Sequence, residues 1–354
     1  MTYDAVVIGA GPAGAVCARE LARGGARVLL LDRAHFPRPK VCGCCVNGSA
    51  IGTLARLGLS DVLAHAVPLR EVKLARGSRG ARVPLPAGVA LSREAFDTAL
   101  VEHAVRAGVE FRPGTSAKLE DELRRANVVI LATGLVGNDG APEPGSRIGA
   151  GAQVPAAGVP DFYAPGTIFM ATGRGGYVGL VRVEDGRLDA AAAFDAGFVR
   201  ASGGLGAAAE TVLRETGWPV PANLAELPWK GTPALTRRAK QLAGERWFAV
   251  GDAAGYVEPF TGEGMAWAVA SAAALAPIAL RASNQWEPRF VREWEATHRR
   301  TIGARQRTCR TVSQVLRSPV LTAIAVRALG AIPALARPVV SRLNRPPVLT
   351  GARA

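Results

Sequence analysis

The sequence predicts a mixed α/β fold: a parallel sheet split between two distant parts of the chain, an inserted antiparallel sheet, and a helical C-terminus. Three observations predict it. Residues 3–9, YDAVVIG, form a short apolar run that ends in a glycine cluster and opens a helical stretch at 12–23. After Gly24 and Gly25, residues 26–32, ARVLLLD, read as a second buried strand ending on an acid, completing a βαβ unit in about thirty residues. Far along the chain, at 246–250, an apolar strand returns and runs into GDAAGYVEPFTGEGM at 251–265.

The elements between follow in order. A loop rich in Pro and Cys precedes a helix expected over 47–57, and short strands are expected at 71–74 and 81–85. Ser92 can cap the next helix, in which Phe96, Leu100, Ala104 and Val105 recur at helical spacing until Gly108 ends it. NVVIL at 127–131 is a third buried strand and leads into Ala132, Thr133 and Gly134. Residues 140–165 are rich in Pro and Gly. Beyond them TIFMATG, GYVGLVRV and GRLDAAAAF read as antiparallel strands, with turns at 173–176 and 185–186. A helix from Gly264 closes the nucleotide fold, and the chain from about Trp286 reads as helical, basic and amphipathic. The expected division is residues 1–70 with 92–140 and 236–285 for the nucleotide-binding domain, 71–91 with 141–235 for a substrate-binding sheet, and 286–354 for the C-terminal helical region.

With 354 residues and 49% apolar content, the chain can bury a large core. Its net charge of +14 would ordinarily suggest a polyanionic partner. The cations, however, are nearly all Arg, with only Lys40, Lys73, Lys118, Lys230 and Lys240 as lysines, and Ala and Gly are abundant. That bias fits coding composition better than a nucleic-acid surface, and no nucleic-acid-binding module is visible. The five cysteines are not spaced as a disulfide framework. The first strand begins almost at once and carries Asp4, without a secretory pattern, so a cytoplasmic location is expected. The longest apolar run, 265–280, is shorter than the roughly 20 residues a membrane span needs, and no transmembrane helix is expected.

Gly9, Gly11 and Gly14 make G-x-G-x-x-G between a strand and a helix, enclosing Pro12 and Ala13. The first glycine allows the tight turn, the second lets backbone approach a pyrophosphate, and the third lets the helix pack closely on the strand. The pyrophosphate then sits at a helix N-terminus, where free N–H groups and the macrodipole favour an anion. Asp32, followed by Arg33, ends the second strand where an acid accepts hydrogen bonds from a ribose. NAD and FAD share this motif, so the distant segment decides between them. Gly251 and Asp252 follow a buried strand, then come Pro259, Gly262, Gly264 and Met265 at a helix start. Reduced flavin carries negative charge near N1 and the C2 carbonyl, and a helix N-terminus aimed there stabilises it. Together the two segments predict a Rossmann-like FAD-binding domain.

The run 251–265 resembles the flavin-contacting segment of the para-hydroxybenzoate hydroxylase-like superfamily, which includes aromatic hydroxylases, flavin halogenases and geranylgeranyl reductases. FPRPKVCG at 36–43 resembles most closely the Lys-x-Cys-Gly loop of the geranylgeranyl reductase branch, and Arg93 resembles the arginine that contacts FAD across the superfamily. The resemblance implies a cofactor-binding set of Gly9, Gly11, Pro12, Ala13, Gly14, Asp32, Arg33, Arg93, Gly134, Gly251, Asp252, Pro259, Gly262, Gly264 and Met265. Two features depart from it. The superfamily's Asp-Gly pair after the third strand is replaced by Ala132, Thr133 and Gly134, which leaves NAD(P)H as a candidate reductant only. The W-x-W-x-I-P segment of flavin halogenases is missing, which disfavours halogenation.

Cys42, Cys44 and Cys45 cluster in one loop. Without a second pair at ligand spacing they do not predict a metal site. They are the candidate catalytic residues, as a redox pair, a flavin-proximal thiol or a covalent flavin anchor. The alternative is small side chains filling space beside the cofactor. The histidines, His35, His65, His103 and His298, read as surface or loop residues. The expected activity is FAD-dependent redox chemistry on a lipophilic small molecule, foremost hydroxylation or oxidation of an aromatic polyketide or phenolic compound. Reduction of carbon–carbon double bonds in an isoprenoid is the alternative, and a non-enzymatic escort protein of the same fold is the distant one. The arginine-rich C-terminal helices, where Leu316, Val320, Leu321, Ile324, Leu329 and Ile332 intersperse with basic residues, either pack on the body or contact a membrane surface peripherally. The oligomeric state is not predicted.

Overall fold

The computed structural model describes residues 2–137, 140–258, 260 and 262–347. In chain order the strands are β1 (Tyr3–Ile8), β2 (Val28–Leu31), β3 (Cys45–Asn47), β4 (Val67–Pro68), β5 (Glu71–Arg76), β6 (Arg79–Pro84), β7 (Gly88–Ala90), β8 (Glu110–Arg112), β9 (Ala126–Leu131), β10 (Ile148–Val154), β11 (Thr167–Thr172), β12 (Gly176–Arg182), β13 (Leu188–Phe194), β14 (Lys230–Ala234), β15 (Ala243–Gly244) and β16 (Trp247–Ala249). The α-helices are α1 (Pro12–Arg23), α2 (Gly48–Arg56), α3 (Arg93–Arg106), α4 (Leu119–Glu122), α5 (Ala196–Ser202), α6 (Leu205–Thr216), α7 (Gly264–Asn284), α8 (Arg289–His298), α9 (Ala304–Arg317), α10 (Pro319–Ala331) and α11 (Arg337–Asn344).

The split nucleotide fold predicted from sequence is present. Six strands form one sheet in the order β15-β16-β9-β1-β2-β8, parallel except for the short edge pairing of β15 with β16. β1 is buried on both faces because the long helices cover one side and α4 with its flanking residues Ala117 and Leu123 covers the other. Ala5 and Val7 pack into the helical core, and Val6 and Ile8 into a smaller cluster with Leu29, Leu31 and Val129. On the helical side α1 lies against α7 and α3. α7 is long and apolar enough to cross a membrane, but 78% of its apolar window is buried inside the protein, so it serves as the central core helix. Asn47 and Ser92 cap α2 and α3 through side-chain acceptors for the N–H groups of Ala50 and Ala95.

The inserted sheet has seven strands in the order β14-β10-β13-β12-β11-β5-β6. One face buries Phe169, Val178, Leu180 and Phe194 under α6, whose Ala208, Ala209, Val212 and Leu213 form its apolar stripe. The opposite face looks toward the nucleotide-binding sheet. The expectation of an antiparallel sheet needs one correction: β5 pairs with β11 in parallel. The two strands are separated by α3, β8 and β9, so no hairpin constrains their relative direction. A three-stranded sheet, β3-β7-β4, lies beneath the cysteine loop and was too short to read from periodicity. His298 also differs from its expectation as a surface residue. It is buried, packs edge-on against Trp294 at 5.5 Å, and is held neutral by desolvation, which drives its pKa down to about 4.

Candidate functional site

A cavity of about 1260 Å³ opens at the C-terminal ends of β1, β2, β9 and β16, where a doubly wound sheet leaves its crevice. Its nucleotide end is shaped by three glycines with different roles. At Gly9, with φ +105°, a Cβ would lie 2.3 Å from the Ala132 carbonyl oxygen. At Gly14 it would lie 1.8 Å from the Gly9 carbonyl oxygen. Both glycines are therefore demanded by the packing of the turn itself, and Gly14 does not reach the cavity. Gly11 is different. A Cβ there would meet nothing closer than the Arg38 and Arg93 guanidinium nitrogens, at 3.8 and 3.9 Å. Among the described residues no side chain caps α1, so its first N–H groups face this space with no competing acceptor from a cap.

Cations converge on the same space. Arg93 is gripped by Asp97 one helical turn later, through Nε–Oδ1 at 2.8 Å and Nη2–Oδ2 at 2.7 Å. Arg38 reaches Asp32 and Asp97 at 3.6 Å each, and its Nε has no hydrogen-bond partner among the described residues. Lys40 approaches to 3.3 Å of the position a Gly134 Cβ would take. Burial, reinforced by Arg93, lowers the Lys40 pKa, while Asp252 opposes that shift. Asp32 is fixed at the end of β2 by accepting from the N–H groups of Ala10 at 2.8 Å and Ala34 at 2.9 Å. On the opposite wall lie Gly251, Asp252, Gly262, Gly264 and Met265, and burial raises the Asp252 pKa against the pull of Lys40 and Arg93. An open cradle at Gly11, cations around it and an acid at the end of β2 fit a dinucleotide. The distant glycine segment fits the flavin ring, as the chain's resemblance implies.

The structure thus brings Gly9, Gly11, Pro12, Ala13, Asp32, Arg33, Arg93, Gly134, Gly251, Asp252, Gly262, Gly264 and Met265 to one cavity. Pro259 lies outside the described residues. The cysteines divide. Cys42 and Cys45 line the cavity, and Cys45 lies beside Gly262, where a Cβ would meet its Cβ at 3.6 Å. Cys44, in the left-handed region at φ +49°, turns away and is buried. Hydrogen bonds from the Cys44 thiol and N–H, with the Arg93 guanidinium, bring the Cys42 pKa down to about 6 against the cost of burial. Cys44 is pushed up, first by its hydrogen bond to Cys42 and then by burial. Behind it stands Asp189 on β13, buried, with one carboxylate oxygen unpartnered among the described residues and its pKa raised by desolvation. Asp97, Arg93, Cys42, Cys44 and Asp189 form one chain of contacts.

Sequence reasoning missed the substrate end. Tyr177 of β12 stacks edge-on with Phe260 at 4.9 Å, and both line the cavity with Tyr256. Behind Tyr177, Glu258 and Arg147 form a buried ion pair at 3.3 Å, and burial raises the pKa values of Tyr177 and Glu258. Alternation along β12 could have indicated that Tyr177 faces the same way as Gly179 and Val181. From this aromatic end the cavity continues as an apolar arm between Val72, Leu74, Val83 and Leu85 of β5–β6 and Val312, Leu316, Val326 and Leu329 of α9–α10.

Residues 2–135 match the FAD binding domain family. The chain is 33% identical over 162 residues to a menaquinone reductase of Mycobacterium tuberculosis, spanning 41% of this chain and 40% of that protein. It is 33% identical over 180 residues to a geranylgeranyl diphosphate reductase of Rhodobacter capsulatus, spanning 48% and 44% respectively. The matched region is therefore less than half the length of either relative. Among solved structures, a p-nitrophenol 4-monooxygenase from Pseudomonas putida superposes with a TM-score of 0.73 at 16% identity, covering 97% of this chain and 98% of its own. At that identity the likeness speaks for the fold alone.

Proposed function

We propose, from the chain's place in the FAD-dependent oxidoreductase superfamily of para-hydroxybenzoate hydroxylase-like fold, that it hydroxylates or oxidises an amphiphilic phenolic compound, such as an aromatic polyketide bearing an aliphatic tail. The observation that carries this reading is the two-part cavity. Its aromatic end, with Tyr177, Tyr256 and Phe260, suits a ring, and its apolar arm suits a hydrocarbon chain. FAD, when bound, supplies the two-electron redox centre. Gly11 and the N-terminus of α1, with Arg38, Lys40 and Arg93, would hold the pyrophosphate, Asp32 the ribose, and Gly262 and Gly264 the flavin ring. Asp97 orients Arg93 so that its remaining N–H groups stay directed at the cavity. The Arg147–Glu258 pair stiffens the wall behind Tyr177, whose hydroxyl stays protonated and can orient a phenol by hydrogen bonding. In the cysteine loop, Cys42 is the thiol suited to act at the flavin, because Cys44 faces away and burial keeps Cys45 protonated.

A second reading is favoured by a specific pair of observations. The reductases named above are each similar to less than half of this chain, and the loop 36–43 carries the Lys-x-Cys-Gly pattern. In that reading an isoprenoid tail enters the site and its double bond is reduced, with Cys42 managing a proton. Hydroxylation and double-bond reduction each need an external reductant, for which NAD(P)H is the candidate, whereas plain oxidation of the phenol releases two electrons and needs O2 as their acceptor. Assays with an alkylresorcinol and with a prenylated quinone, following NAD(P)H and O2 consumption under labelled O2, decide between them. One labelled oxygen atom in the product supports hydroxylation. Loss of a double bond without O2 uptake overturns it in favour of reduction.

A further inference from the structure

The apolar arm ends at a surface that is itself apolar. Nine large hydrophobic side chains are exposed among the described residues, and six of them lie within twenty residues of the C-terminal helices: Val320, Leu321, Ile324, Ile332, Leu335 and Val339. Such clustering is not the scatter of a monomer's ordinary surface. Val320, Leu321 and Ile324 fall on one stripe of α10. The other side of that helix, through Thr322, Val326 and Leu329, lines the cavity, so α10 is apolar on both faces, with one face uncovered. Leu335 and Val339 do both at once: they are 55% and 39% exposed and also line the cavity. The exposed patch and the cavity wall are therefore continuous.

Charge specifies what covers the patch. No Asp or Glu occurs from Ala296 to the end of the chain. Arg327, Arg337 and Arg342 are exposed around the patch and form no ion pair with any described residue. Apolar side chains ringed by unpaired guanidiniums are complementary to the headgroup and acyl boundary of an anionic bilayer. α9 and α10 meet at 106°, and their neighbours bury only one side of α10, a geometry suited to lying on a membrane.

We propose that α10 and α11 dock this protein on an anionic membrane surface and that the mouth at Leu335 and Val339 admits a lipid substrate directly from the bilayer. This rests on the reading that the substrate is lipophilic, and the experiment separates the two. The FAD-loaded full chain is sedimented with vesicles of phosphatidylcholine alone and with equal parts phosphatidylglycerol. Two sets of variants, Leu321→Glu with Ile324→Glu and Arg327→Gln with Arg342→Gln, change only exposed side chains away from the cavity wall. The expected result is partition onto anionic vesicles about tenfold above neutral ones, reduced about tenfold in each set, with flavin absorbance and melting temperature retained. Equal partition of wild type and variants, or none in either lipid, overturns the proposal. So does a dimer in light scattering that the Leu321→Glu and Ile324→Glu changes dissociate, since the patch would then belong to a second copy. Turnover of detergent-dispersed substrate is measured alongside. If it persists without vesicle binding, the membrane proposal alone fails, and if binding persists without turnover of either substrate class, the substrate reading alone fails.

Discussion

Alkylation of Cys42 gives a prediction whose magnitude can be worked through. With a pKa of about 6, roughly nine-tenths of Cys42 is thiolate at pH 7, whereas an ordinary thiol near 8.5 is about 3% thiolate. That is about a thirtyfold gain in the reactive form. A thiolate made 2.5 units less basic is also less nucleophilic, by roughly ten- to eighteenfold at a Brønsted slope of 0.4–0.5. The two effects nearly cancel at pH 7, leaving about a two- to threefold net advantage, so a single-pH rate is a poor test. The pH profile is a sharp one. Iodoacetamide labelling of the FAD-free protein, with fragment-ion mass spectrometry to separate Cys42 from Cys44 and Cys45, is expected to rise through a midpoint of about 6 and level off above it. In Cys44→Ala, which removes the thiol donor, and in Arg93→Gln, which removes the neighbouring charge, the midpoint moves upward by a unit or more. Added FAD is expected to slow labelling, because Cys42 lines the same cavity. A wild-type midpoint near 8.5, or one that neither substitution moves, refutes the reasoning.

Other consequences are as specific. Gly11→Val, at an extended φ of −70° with free space beside it, should leave the melting temperature near wild type and weaken FAD binding about a hundredfold by calorimetry. Gly14→Val, whose Cβ would strike the Gly9 carbonyl, should instead fail to fold. His298 carries a folded pKa of about 4 against an unfolded value near 6.5, so the unfolded chain binds the extra proton as pH falls between these values. About 3 kcal/mol of stability is lost over that window, and urea titrations should show His298→Gln with a flatter profile from pH 7 to 4. Glu263, raised by burial to about 7, has the opposite sign. The folded state holds its proton longer, stability falls as pH rises from about 4.5 through 7, and Glu263→Gln should make the FAD-free protein relatively more stable at pH 8 than at pH 5.

The nucleotide end of the site was legible because its chemistry acts on the backbone. A strand, a sharp turn and a helix in close contact exclude side chains at Gly9 and Gly14, and that exclusion is visible in one sequence. Asp32 followed from its place at a strand end. Arg38 and Lys40 were visible as residues, but a loop of Pro and Cys has no period from which to infer where its side chains go. Asp189 illustrates a different loss. On the Ala-rich strand β13 it reads as an alternate-face polar residue, and only its register against Gln153 and Val181 turns it toward Cys44. The parallel β5–β11 pairing was hidden for a related reason, since the two strands are joined by most of the nucleotide fold and not by a turn. His298 was misjudged because a helix that looks basic and amphipathic in sequence carries one face against Trp294.

The central claim is that this cavity holds FAD, and titration of the purified protein with FAD tests it most directly. The predicted result is one equivalent bound with a perturbed visible flavin spectrum, released as yellow supernatant on acid precipitation or retained in the pellet if a cysteine has bonded to it, and weakened about a hundredfold by Gly11→Val. A folded wild-type protein that stays colourless in excess FAD would contradict the account.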